Sequence, residues 1–343
     1  MNFWSLVAGF TPVVAFLLGL RLMDSYKLVH RTTLLLAIAG GVVAALAAFG
    51  ANRVLLDVAH IPPPLLRAWF APLIEESLKA LLVVWFVSTD RVGFVVDAAV
   101  LAFAIGTGFA LAENVYYANA LRDPTLALWL ARGLGTAIMH GSATALFAIF
   151  GKALSDRYAS ANALVFTPGL VLAIIVHATF NQLSASAFVT TAILLATMPV
   201  LLLAAFEYSE RATRDWLASG FDGEMEMLES ILDGAVGETA VGRYLDTLRS
   251  RFDPMVVADL FCLLTIHLEL SLRAKGMLIA RAAGIEVPVD DSVRANLEEM
   301  KFLEKAVGPT GCLAIMPLRR TSRRDLWQIL LLQRASGAGA GRG

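Results

Sequence analysis

The run from Ala71 to Leu81 reads A-P-L-I-E-E-S-L-K-A-L and sets two adjacent carboxylates, Glu75 and Glu76, inside an apolar stretch. Lys79 follows Glu75 by four residues, so a helix here carries both on one face. Three further apolar segments carry polar pairs at the same interval: Phe109 with Glu113, His140 with Thr144, and His177 with Asn181. Each interval advances about one helical turn, so each helix can aim its pair at a common interior point. Ionisable groups cost about 2.5–3.5 kcal/mol each at the centre of a bilayer on insertion scales, so acids and imidazoles retained there point to function.

The chemistry that suits these groups is hydrolysis. A glutamate oriented by Lys79 can deprotonate a water. His177 and Asn181 can donate to a carbonyl oxygen that gains charge, and His140 can do the same or shuttle a proton. The same residues also read as metal ligands. His140 and His177 with one carboxylate from Glu75, Glu76 or Glu113 would make a three-ligand zinc site with a position open for water. A His-Glu-x-x-His helix, the usual signature of such a site, is absent from the chain. The residues leave open whether zinc or no cofactor at all is used.

The succession Glu75-Glu76-Ser77-Leu78-Lys79, then Phe109 to Glu113-Asn114, then His140, then His177 to Asn181 resembles the PrsW-type intramembrane proteases. That group is related to the CAAX prenyl endopeptidases and the bacteriocin-processing membrane enzymes. Glutamate rather than histidine at position 113 favours the PrsW branch. The resemblance covers about Pro72 to Leu183. It implies cleavage of a single-span membrane protein, such as an anti-sigma factor, in regulated intramembrane proteolysis. It assigns Glu75, Glu76, Glu113, His140, His177 and Asn181 to catalysis, with Lys79 in support. It leaves a metal-dependent and a glutamate-dependent mechanism both standing.

The elements that must hold these residues are membrane helices. The chain has 343 residues, of which 57% are hydrophobic and 17% charged, and its mean hydropathy is +0.68. That balance describes a polytopic membrane protein. A net charge of −1 offers no basic footprint for nucleic acid. Seven segments are long enough to span: Phe3–Leu22, Thr33–Ala51, Leu65–Ser88, Phe94–Ala118, Leu128–Gly151, Leu164–Leu183 and Phe188–Tyr208. The first lacks a basic start and a small-residue cleavage site, and reads as a retained span. Arg21, Lys27, Arg31, Arg91, Lys152, Arg157, Arg211 and Arg214 fall on one set of loops, and Arg53, Arg67, Arg122 and Arg132 on the other. The richer set marks the cytoplasm, which puts the N-terminus outside and the C-terminal part inside.

The expected architecture is therefore all-α: a transmembrane protease-like bundle over residues 1–208, a cytoplasmic helical domain over 209–334, and a disordered Gly/Ala-rich tail over 335–343. Val256 to Ile279 is apolar but holds Asp259, His267, Glu269, Arg273 and Lys275, and reads as a core helix of that soluble domain. Two competing functions use the same features. Intramembrane carboxylates and histidines also build the relays of proton-coupled transporters and channels. A membrane scaffold without catalysis could present the C-terminal helices to a cytosolic partner.

Overall fold

The structure is a computed structural model that describes residues 11, 14–22, 26, 28–120, 126–158, 160, 162–182, 187–285, 287–319 and 323–336. Every regular element among them is helical, and no strand occurs. The chain divides into two units between Arg211 and Ala212.

The first unit holds the polar residues singled out above. Its elements are α1 (Arg31–Asp57), α2 (Ala71–Ser88), α3 (Val95–Ala120), α4 (Leu126–Arg157), α5 (Ala163–Gln182) and the first part of α6 (Ala187–Leu232). Residues 14–22 are helical as well, while the rest of the first expected span lies outside the described residues. α1, α3, α4, α5 and α6 contain helices long and apolar enough to cross a membrane, which makes this a multi-pass membrane protein. α2 is shorter and carries three charged side chains within its 18 residues. α3 is the central helix. Val100, Ala102, Phe103, Ala104 and Ile105 are all fully buried, because neighbours cover this helix on every side. Asp97 accepts from the backbone N–H of Phe94 at 2.9 Å and so caps its first turn.

Glycines let the helices around α3 touch backbone to backbone. A Cβ built on Gly108 would stand 1.9 Å from the carbonyl oxygen of Ile38, and one on Gly41 would stand 2.0 Å from that of Ile105. Together these two positions fix α1 against α3. On the opposite side a Cβ on Gly106 would meet the His140 carbonyl oxygen at 2.5 Å, which fixes α4. Gly108→Ala is thus expected to destabilise the bundle by about 1–3 kcal/mol, as overpacking does. Gly50→Ala has nothing within 4 Å and should stabilise α1 instead. Denaturant unfolding of the two variants in detergent measures the contrast.

α2 has an unusual entry. A short helix, Pro63–Leu65, leads into a π-helical turn, Leu66–Phe70, and then into α2 without a break. The turn shifts the ladder, so the Ala71 N–H reaches back to Leu66 O rather than to Arg67 O. Pro72 has no N–H to offer Ala68 O. The two carbonyls that lose their α-helical donors are taken by the end of α5. Asn181 Nδ2 donates to Arg67 O at 3.0 Å, and Gln182 Nε2 to Ala68 O at 3.3 Å. The π turn and its two amide partners set where α2 starts relative to α5, and therefore where Glu75 faces.

The second unit contains the last part of α6, a 3₁₀ turn at Ala235–Glu238, α7 (Ala240–Leu248), α8 (Pro254–Ala282), α9 (Asp291–Ile315) and α10 (Arg323–Ala335). Thr239, Asp253 and Asp290 cap α7, α8 and α9 with side-chain oxygens. α8 supplies much of the core, with Leu260, Leu263, Leu264, Leu270, Ala274 and Leu278 buried. Lys275 of α8 is buried and bonds Glu224 at 2.6 Å. By length and composition α8 also qualifies as a membrane-crossing helix. The expected tail lies almost wholly outside the described residues.

Candidate active site

Four helices bring the polar side chains to one place. α2 supplies Glu75, Glu76 and Lys79, α3 supplies Glu113, α4 supplies His140 and α5 supplies His177. Three of these side chains have almost no exposed surface: Glu76 2%, Lys79 0% and His140 1%. Glu75 and Glu113 are the more open pair, at 13% and 25% of the side chain.

The buried centre is a chain of hydrogen bonds. Lys79 Nζ donates to Glu76 Oε1 at 2.6 Å and lies 3.0 Å from His140 Nδ1. An ammonium can only donate, so Nδ1 of His140 accepts. The neutral ring then carries its proton on Nε2, which donates to Glu113 Oε2 at 2.8 Å. His177 has the other tautomer. Its Nδ1 lies 2.7 Å from Glu76 Oε1, an acceptor, so Nδ1 carries the proton and Nε2 the lone pair. That lone pair is 3.9 Å from Glu75 Oε2. The two imidazoles stand edge to face, with centroids 4.8 Å apart. Phe109 backs the group, with its ring 4.7 Å from that of His140 and 4.8 Å from Lys79 Nζ.

The residues therefore divide by job. Glu76 is locked between Lys79 and His177 and holds the His177 ring in place. Glu75 stands outside that lock: its first oxygen accepts from Asn52 Nδ2 at 3.3 Å, and its second lies 3.9 Å from His177 Nε2. Asn52, near the end of α1, is a polar partner that spacing did not suggest. An amide beside Arg53 at the close of an apolar helix was the available signal. Two expected partners turn elsewhere. Asn181 donates to Arg67 O in the π turn. Thr144 Oγ1 returns to the backbone oxygen of His140 at 2.7 Å. Lys79 also bonds Glu76, three residues away, and not Glu75.

One ligand atom each from Glu75, His140 and His177 lie within 4.8 Å of one another. Two imidazoles and a carboxylate are the donor set of a catalytic zinc centre that keeps a position for water. His177 fits that set with its Nε2 lone pair facing Glu75. His140 has both nitrogens engaged, so ligation by it requires the contact with Lys79 or with Glu113 to open. Beside the cluster is a cavity of about 250 Å³, reached between α1 and α3, with Glu75 and Glu113 in its wall.

No curated protein and no solved structure matches the chain. A family model described as "PrsW family intramembrane metalloprotease" matches residues 29–205, a span that includes every one of the clustered side chains and more than half of the sequence. With four helices delivering two imidazoles and three carboxylates to one buried point inside that span, the chain belongs to the PrsW family of intramembrane metalloproteases.

Proposed function

We propose that this chain hydrolyses a peptide bond in a single-span membrane protein, with Glu75 as the group that takes the proton from water. The single observation that carries the reading is the convergence of Glu75, His140 and His177 within 4.8 Å. A water between Glu75 Oε2 and His177 Nε2, 3.9 Å apart, reaches both. Glu75 accepts the water proton as the new C–O bond forms at the scissile carbonyl, and delivers it to the amide nitrogen as the C–N bond breaks. Glu76 and Lys79 keep the two rings fixed during that exchange.

Glu75, His140 and His177 would hold a zinc ion, which supplies a Lewis acid that makes water more acidic and polarises a carbonyl. The double engagement of His140 favours a second reading, in which the glutamates act with no metal. Metal analysis of the purified protein separates the two. The first expects about one zinc per chain, lost in His177→Ala, and cleavage of a single-span reporter that stops on chelation and returns with zinc. Full cleavage by metal-free protein would leave the glutamate-only mechanism. A substrate resembling an anti-sigma factor, and a cytoplasmic C-terminal unit, belong to this proposal. Labelling of single cysteines from either face tests the latter.

A further inference from the structure

We infer that the cavity between α1 and α3 is the subsite for a large apolar side chain flanking the scissile bond, and that it selects the cleavage position. This rests on the peptidase reading of the neighbouring cluster. The wall is shared with that cluster: Glu75 and Glu113 are its two charged residues. Whatever fills the cavity therefore ends beside the group that activates water. The remainder is apolar. Ala45 and Ala112 leave the space, and Phe49, Phe109 and Tyr116 enclose it. The Phe49 and Tyr116 rings stand 5.0 Å apart at the outer side, and both are about half exposed.

The size suits one side chain. About 250 Å³ is less than the roughly 300–1,000 Å³ of a site for a drug-sized molecule. Aromatic walls over an alanine floor fit a leucine, methionine or aromatic ring better than a polar group. A lipid acyl chain is the competing occupant. It would set hydrocarbon against a wall that holds two carboxylates, and taking charged groups out of water is costly. A substrate strand brings backbone N–H groups to the same place.

The test uses the full chain in detergent with two reporters that differ only at the residues beside the cleaved bond, leucine in one and alanine in the other. Wild type should prefer the leucine reporter. Ala45→Phe, which fills the cavity, should lower cleavage of the leucine reporter by about tenfold or more and leave the alanine reporter near its wild-type rate. Phe49→Ala, which enlarges it, should raise the preference for tryptophan at that position. Equal slowing of both reporters by Ala45→Phe, with a normal unfolding midpoint, overturns the inference. A benzophenone on the reporter's flanking residue adds a readout that needs no cleavage. Crosslinks to Phe49 or Tyr116 support the subsite, and crosslinks confined to lipid overturn it. Crosslinking at Phe49 with neither reporter cleaved instead sinks the peptidase reading, so the two failures are distinct.

Discussion

Glu75→Gln is expected to lower reporter cleavage by about 10²–10⁴-fold, the contribution of a positioned proton acceptor, with the unfolding midpoint close to that of the wild type. The geometry separates the two effects. Glu75 is in the cavity wall beside His177, and it has no bond to Lys79. Its one described hydrogen bond comes from the Asn52 amide, and a glutamine carbonyl can still accept it. The substitution thus removes the ability to take a proton while keeping shape and the Asn52 contact. A proton acceptor acts in the chemical step, so kcat should fall and KM should change little. Zinc content should fall as well if the carboxylate is a ligand, because an amide oxygen is the weaker donor. Undiminished cleavage by a folded Glu75→Gln protein would remove Glu75 from the reaction and return the role to Glu113, the other open carboxylate.

The parts of this site that the sequence disclosed are those that conflict with their surroundings. Glu75, Glu76, Glu113, His140 and His177 stand out because apolar helices rarely carry such groups. The helical interval brought Glu113 and Lys79 into the cluster with the first members of the pairs, but not Thr144 or Asn181. Lys79 was paired with Glu75 by spacing, but its long side chain reaches Glu76 and leaves Glu75 turned to the cavity. Asn181 shares a face with His177, yet its partner is decided by Pro72 and a π turn more than a hundred residues earlier. Such a partner exists only once α2 and α5 are packed. The bundle itself was legible from length and apolarity. α2 obeys that rule too, since Leu65–Ser88 reads as a span although its helix carries three charged side chains. α10 was not foreseen, because its sequence alternates arginines with a short leucine run. It becomes a helix on gaining a core to face, with Trp327, Ile329 and Leu332 buried.

Lys79→Met should destabilise the bundle by about 3–5 kcal/mol, the cost of leaving one partner of a buried ion pair behind. Lys79 has no exposed surface and Glu76 almost none, so water cannot replace the lost ammonium. Three contacts go at once: the 2.6 Å bond to Glu76, the 3.0 Å contact with His140 and the position over the Phe109 ring. The Glu76 carboxylate keeps only His177 Nδ1–H as a close donor. Stability should return in the double variant Glu76→Gln with Lys79→Met. The glutamine carbonyl still accepts from His177, and no buried charge remains, so the pair of changes should be close to neutral in unfolding free energy. Activity should not return with it. His140 Nδ1 loses its donor in the double variant, and the ring is free to place its proton on either nitrogen and to turn away from Glu113. A folded but inactive double variant thus assigns the Lys79–Glu76 pair to positioning the two imidazoles in addition to joining the helices. If the double variant regained wild-type cleavage along with its stability, the Lys79–Glu76 pair would be a structural tie between helices and nothing more.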